Sequence, residues 1–249
     1  MIPWDKLLNL KDYTPLELAL FCSGCYLWVI VYWVYIKDIV KKQFVEVPIF
    51  AACGNIGWEF TWSFLLVTDM GPLMQFCYRA WFFFDLFIFY GVLRYGWKQV
   101  QTQTLRPYLP PLLVLIAVFH AAAFYFMFTS GLDTSIGANS AFLLNMTLSI
   151  LYIFLLVRQT DVSNFSMAAA WGKMVGTGTN TVFMNIHPAY AGNHFLHFIS
   201  IVTTTLDCFY IFWLWRMRRQ AVLAGAGVPA AGQASALSTA AASLTSAVS

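Results

Sequence analysis

Six long, mostly apolar stretches limit what this chain can fold into: Leu16–Ile36, Val47–Val67, Leu73–Leu93, Tyr108–Thr129, Ala138–Val157 and His194–Trp215. A helix of about 20 such residues spans the roughly 30 Å hydrocarbon core of a bilayer. A seventh stretch, Ser166 to Met184, is more polar, with Lys173, Asn180 and a Gly-Thr-rich centre at Gly176-Thr177-Gly178-Thr179. It also counts as a span, because a reentrant segment would put both its flanks on one side and spoil the charge pattern of the loops. Only 10% of the 249 residues are charged and 60% are hydrophobic, whereas a soluble domain carries about 25% charged residues. The expectation is an all-α polytopic membrane protein. A seven-transmembrane-helix catalytic domain covers residues 1–220, and a low-complexity Ala/Ser-rich tail covers residues 221–249.

Seven spans place the connecting loops on alternate sides. The first, third and fifth loops and the C-terminal flank hold Lys37, Lys41, Lys42, Arg94, Lys98, Arg106, Arg158, Arg216, Arg218 and Arg219. The opposite loops hold almost no Lys or Arg, and the N-terminal segment holds only Lys6 and Lys11. The positive-inside rule then puts the N-terminus on the lumenal or extracellular side and the C-terminus in the cytoplasm. The membrane would be the endoplasmic reticulum in a fungus or the plasma membrane in a bacterium. No removable signal peptide is evident. The formal charge of +3 is scattered at helix ends and does not indicate nucleic-acid binding. The five cysteines lie in or beside apolar runs, so the Cys22/Cys25 pair reads as small buried hydrophobes.

Against this background the intramembrane polar residues stand out. Glu59 and Asp207 lie deep in the second and last spans, where a charge costs about 2.5–3.5 kcal/mol on insertion scales. Neither has an obvious partner close in sequence, and a functional role is the reading for both. Asn55, Glu59 and Trp62 share a helical stripe, as do Tyr78, Trp81 and Asp85, and Thr203, Asp207 and Tyr210. Glu59, Asp85 and Asp207 come at comparable depth and could converge on one cavity. The structural alternatives are specific. Arg79 and Asp85 could form an ion pair, or Arg79 could snorkel; Lys173 is expected to snorkel to the interface. Asn55, Asn145 and Asn180 read as interhelical hydrogen-bonding residues, and His120 as a packing residue. A metal site at His187, His194 and His197 is a weak possibility. A cavity lined by Trp58, Phe60, Trp62, Trp81 and Tyr210 would stabilise a carbocation through its ring faces.

Several chemistries lack their parts. There is no DDxxD-like cluster for magnesium-bound diphosphate, no GxSxG, HExxH or P-loop, and no Lys in the last span for a retinal Schiff base. Proton chemistry on an apolar substrate remains. A buried carboxylic acid can protonate an epoxide or alkene where water is kept from quenching the cation.

At Asn55-Ile56-Gly57-Trp58-Glu59, Arg79-Ala80-Trp81-Phe82-Phe83-Phe84-Asp85 and Thr203-Thr204-Thr205-Leu206-Asp207-Cys208-Phe209-Tyr210, the chain resembles the integral-membrane terpene cyclases of fungal meroterpenoid and indole-diterpene pathways. The resemblance extends to Arg219. It implies a metal- and cofactor-free enzyme that protonates the terminal epoxide of a prenyl chain on an aromatic, polyketide or indole head, driving cationic cyclisation. It also implies that Glu59 and Asp207 are catalytic. The stripes and aromatic residues make Asn55, Trp58, Trp62, Tyr78, Arg79, Trp81, Asp85 and Tyr210 the candidate substrate-binding residues, and the expected partners are a lipophilic epoxy-prenyl substrate and membrane lipid. Which acid donates the proton stays open. Intramembrane acids equally mark proton-coupled carriers, and a receptor or scaffold for a lipophilic ligand is a third class. A carrier should show repeat symmetry and a polar path to both faces, whereas a cyclase needs a closed aromatic cavity.

Overall fold

A computed structural model describes residues 6–159 and 161–226. These residues form seven α-helices: α1 (Pro15–Lys42), α2 (Ile49–Phe60), α3 (Pro72–Tyr95), α4 (Leu109–Thr129), α5 (Ala138–Val157), α6 (Met167–Ile186) and α7 (His194–Ala226). Five segments, built on α1, α3, α4, α5 and α7, are long and apolar enough to cross a membrane. Phe83, Phe87, Val118, Phe126 and Phe198 are each more than half exposed, a surface suited to lipid rather than water. The protein is an all-α, polytopic membrane protein. α7 runs on to Ala226 and takes in the first six residues of the expected tail; the remainder of that tail lies outside the described residues.

The helix ends follow local chemistry. Thr14 and Glu17 form a capping box at α1, with Pro15 in the first turn. Pro72 follows Gly71 into α3, and Ser166 caps α6. α2 departs from the expected continuous helix, because after 12 residues it widens into a five-residue π-helix, Thr61–Leu65. Two side chains of α3 occupy the carbonyls around this widened turn. Gln75 Nε2 donates to Trp62 O at 2.7 Å and Ser63 O at 3.2 Å, and Arg79 Nε donates to Ser63 O at 3.2 Å. π-bulges concentrate at functional sites, and this one begins two residues after Glu59.

Loop contacts sort the helix ends into two groups. At one end Lys98 reaches Gln43 O, Gln99 reaches Val45 O and Val47 O, Lys42 reaches Asn164 O, and Arg218 bonds to Phe165 O. At the other, Leu73 N bonds to Leu7 O, Tyr13 to Asp69, and Asn193 to Asn139. Successive helices therefore alternate in direction, with the Lys- and Arg-bearing loops gathered at what we call the basic end. One large apolar cluster fills that half of the bundle and a second fills the other half.

α6, which is not among the five strongly apolar segments, is held by close backbone approach. A Cβ on Gly24 of α1 would stand 2.7 Å from Gly176 O, and one on Gly176 would stand 3.1 Å from Gly24 O. Small residues that let backbones meet are a common basis of intramembrane helix association, which gives the Gly-Thr-rich centre its packing role. Gly137, at the start of α5, has φ 74°, and a Cβ there would lie 2.4 Å from Cε2 of the fully buried Trp62. A left-handed backbone alone costs an L-residue about 1–2 kcal/mol, and the indole has nowhere to move. Gly137→Ala should therefore lower the thermal midpoint of the purified protein; an unchanged midpoint would contradict this packing.

Candidate active site

Between the two apolar clusters α1, α2, α3, α5 and α6 enclose a cavity of about 110 Å³. One water needs only about 10–15 Å³, so this is a chamber rather than a packing defect. Trp28, Trp58, Tyr78 and Trp81 form its aromatic walls, while Tyr32, Asn55, Glu59, Asn145, Thr177 and Asn180 contribute its polar groups.

Glu59 is 4% exposed. Tyr32 Oη donates to its Oε1 at 2.5 Å, and Oε2 has no hydrogen-bond partner among the described residues. No cation lies within ion-pair distance of it among those residues. Burying a carboxylate charge without a cation to offset it is costly. The wall beside it is fixed by a relay from the α4–α5 loop. Trp58 Nε1 donates to Ser140 Oγ at 2.8 Å, and that hydroxyl donates to Asp133. Asp133 also accepts from the Asn139 N–H at 2.9 Å at the start of α5. Burial pushes the Asp133 carboxyl up, against the opposing pull of these hydrogen bonds.

Asp207 has entirely different surroundings. Lys173 Nζ lies 2.6 Å from its Oδ1 and 2.7 Å from its Oδ2, and Ser149 Oγ donates to Oδ1 at 2.6 Å. Both ionic side chains are 3% exposed. Lys173 does not snorkel: the carboxylate of α7 holds it inside, and Asp207 is not isolated. Asp207 does not line the chamber. Asn145 and Thr177, which do, each sit four residues from Ser149 and Lys173 on their helices, so the ion pair lies one turn below the chamber floor, towards the basic end.

Of the residues singled out from sequence, Asn55, Trp58, Glu59, Tyr78 and Trp81 meet in the chamber. Trp62 is wholly buried behind it, packed on Tyr78 and Phe128. Phe60 points away from the chamber, 39% exposed, against Phe64 and Phe82. Arg79 secures the π-helix and forms no pair with Asp85. Asp85, 1% exposed, lies near enough to bear on Glu59, Tyr32 and Cys53, with Oδ2 unpartnered. Tyr210 packs against Tyr152 in the apolar cluster of the basic end. His187 pairs with Glu17 and His197 bonds to Tyr190 O; no group of three or more metal-ligating side chains forms among the described residues. Sequence reasoning missed Tyr32, a tyrosine in a helix rich in them, and took Asn145 and Asn180 for interhelical ties.

An aromatic intramembrane chamber bounded by one uncompensated carboxyl is the setting in which the comparisons fall. The chain matches the Pyr4-like transmembrane terpene cyclases over residues 5–220 and belongs to that family. It is 27% identical to terpene cyclase macJ of Penicillium terrestre over 158 residues, 61% of this chain and 59% of the relative. It is 26% identical to the Pyr4-family terpene cyclase mfmH of Annulohypoxylon moriforme, covering 78% of this chain and 82% of the relative. It is 22% identical to terpene cyclase spyD of Aspergillus fumigatus, covering 80% and 88%. No solved structure matches.

The ion pair makes the outcome of an Asp207 substitution specific. Asp207→Asn leaves the Lys173 ammonium buried without its counter-charge, a change that costs about 3–5 kcal/mol where measured. Folded protein should fall sharply in this variant and recover in the Lys173→Met/Asp207→Leu double variant, as read by size-exclusion yield. Equal yields for Asp207→Asn and wild type would contradict the pairing.

Proposed function

We propose that this protein is a terpene cyclase in which Glu59 protonates the terminal epoxide of a prenyl chain carried on an aromatic, polyketide or indole head. The single observation that carries the reading is the contrast between the two acids. Glu59 faces the chamber, is held by a neutral phenol and keeps one oxygen free, whereas Asp207 is held by an ammonium below the floor. A carboxylate in an ion pair has no proton to give. Glu59 is then the general acid, and Asp207 acts through Lys173 and Ser149 to fix α5, α6 and α7 under the chamber.

The steps follow from the side chains. Glu59 gives its proton to the oxirane oxygen as the ring C–O bond breaks towards the tertiary carbon. The chain's alkenes attack in turn, and loss of a proton or nucleophilic capture ends the cascade. No metal ion takes part. Trp28, Trp58 and Trp81 offer ring faces to the travelling cation, each contact being worth about 0.5–2 kcal/mol. The apolar clusters on either side keep water from quenching it. They also stand against the carrier reading, which needs a polar path to both ends. We further propose that all seven helices cross the membrane, with the basic end cytoplasmic.

The test is product analysis in membranes given a terminally epoxidised farnesyl phenol. Wild type should convert it to a cyclic isomer, and Glu59→Gln should lose about 10²–10⁴-fold in turnover while remaining folded. Glu59→Asp should also fail, because proton transfer needs about 2.6–3.2 Å between heavy atoms. Full turnover by Glu59→Gln would end this assignment.

A further inference from the structure

Below the two acids the buried polar groups continue towards the basic end. Tyr35, Tyr152 and Tyr210 are each at most 4% exposed. Tyr152 Oη donates to Tyr35 Oη at 2.5 Å. The Tyr210 ring lies 5.1 Å from that of Tyr152, and its hydroxyl has no partner among the described residues. Each tyrosine stands three residues beyond a member of the acid layer: Tyr35 beyond Tyr32, Tyr152 beyond Ser149, and Tyr210 beyond Asp207. Three residues of helix rise about 4.5 Å and return close to the same face. α1, α5 and α7 all run towards the basic end, so the tyrosine layer sits one step below Glu59 and Asp207 together.

One loop further on lies Glu46, 3% exposed and with Oε2 unpartnered. It is near enough to bear electrostatically on all three tyrosines. Burial pushes its carboxyl up to about 8, against a backbone hydrogen bond at Ser166 and the Lys42 charge. The neighbouring Asp38–Lys42 pair, with side chains 19% and 26% exposed, reaches solvent. Packing alone does not explain three phenols and a carboxyl inside the largest apolar cluster, since a buried polar atom left unpaired costs free energy.

We propose that Tyr35, Tyr152 and Tyr210 form a proton-exchange path linking Glu59, through Glu46, to water at the basic end. The path rests on the reading of Glu59 as the proton donor. A cyclisation that takes a proton from Glu59 and releases one elsewhere has no net proton change, yet Glu59 must be reloaded before the next turnover. Each hydroxyl would receive a proton on one side as it passes its own onward, so one proton moves and no electrons do. Bridging waters would complete the hops at the unpartnered oxygens of Tyr210 and Glu46, which offer them polar contacts, while Tyr32 reaches Glu59 directly.

The test needs no substrate. Full-length protein in lipid nanodiscs is mixed into D₂O, and the protonated-carboxyl infrared band absent from Glu59→Gln is followed as it shifts on deuteration. Wild type and a lipid-facing control, Tyr90→Phe, should exchange at the same fast rate. Tyr152→Phe and Tyr35→Phe should exchange roughly 10²-fold more slowly, the lower figure for losing a positioned proton-transfer group. Circular dichroism confirms that each variant is folded, and Glu46→Gln supplies an independent slow variant should either tyrosine change reduce yield. A Glu59 band that exchanges at the wild-type rate in all three variants overturns the path and leaves the donor assignment standing. Absence of any Glu59-dependent band overturns the donor assignment, and the path with it.

Discussion

The Lys173–Asp207 ion pair joins α6 to α7 in the middle of the bundle, and much of the architecture follows from having to bury it. Two unit charges in a low-dielectric interior are tolerable only at short range and with their remaining hydrogen-bonding capacity used. Ser149 meets that requirement from α5, so three helices are tied at one level. α6 can then carry Lys, Asn and Thr through an apolar bundle, and the backbone contact of Gly24 with Gly176 holds it against α1. The chamber lies directly above this tie.

The same constraint separates the two acids that sequence alone presents as equals. Both are single carboxylates deep in apolar segments, and both are buried to nearly the same degree. Their chemistry diverges through their neighbours: a phenol for one, an ammonium for the other. A low-dielectric site penalises an uncompensated negative charge far more than a paired one. The difference between their surroundings arises from a single lysine.

The helices were legible because their signal is local: long apolar runs with basic flanks on alternate loops. The aromatic and acidic motifs around Glu59 and Trp81 were legible as well, since helical spacing puts them on shared faces. What escaped depends on neighbours far apart in the chain. Lys173 meets Asp207 across 34 residues, and Tyr32 meets Glu59 across 27. A lysine near a span end reads as snorkelling until a carboxylate on another helix is placed beside it. The π-turn after Glu59 depends on Gln75 and Arg79 of the next helix, so neither the turn nor the role of Arg79 is visible in the local sequence.

Placing a substrate mimic in the chamber tests the central claim most directly. A structure would be determined with a farnesyl phenol whose terminal oxirane is replaced by an aziridine, so that the ring nitrogen takes the position of the oxygen to be protonated. The account predicts that nitrogen within about 2.6–3.2 Å of the Glu59 carboxyl, with the prenyl chain along Trp58 and Trp81 and the Lys173–Asp207 pair intact below. A ring nitrogen seated on Asp207, with Lys173 displaced from it, would contradict the account.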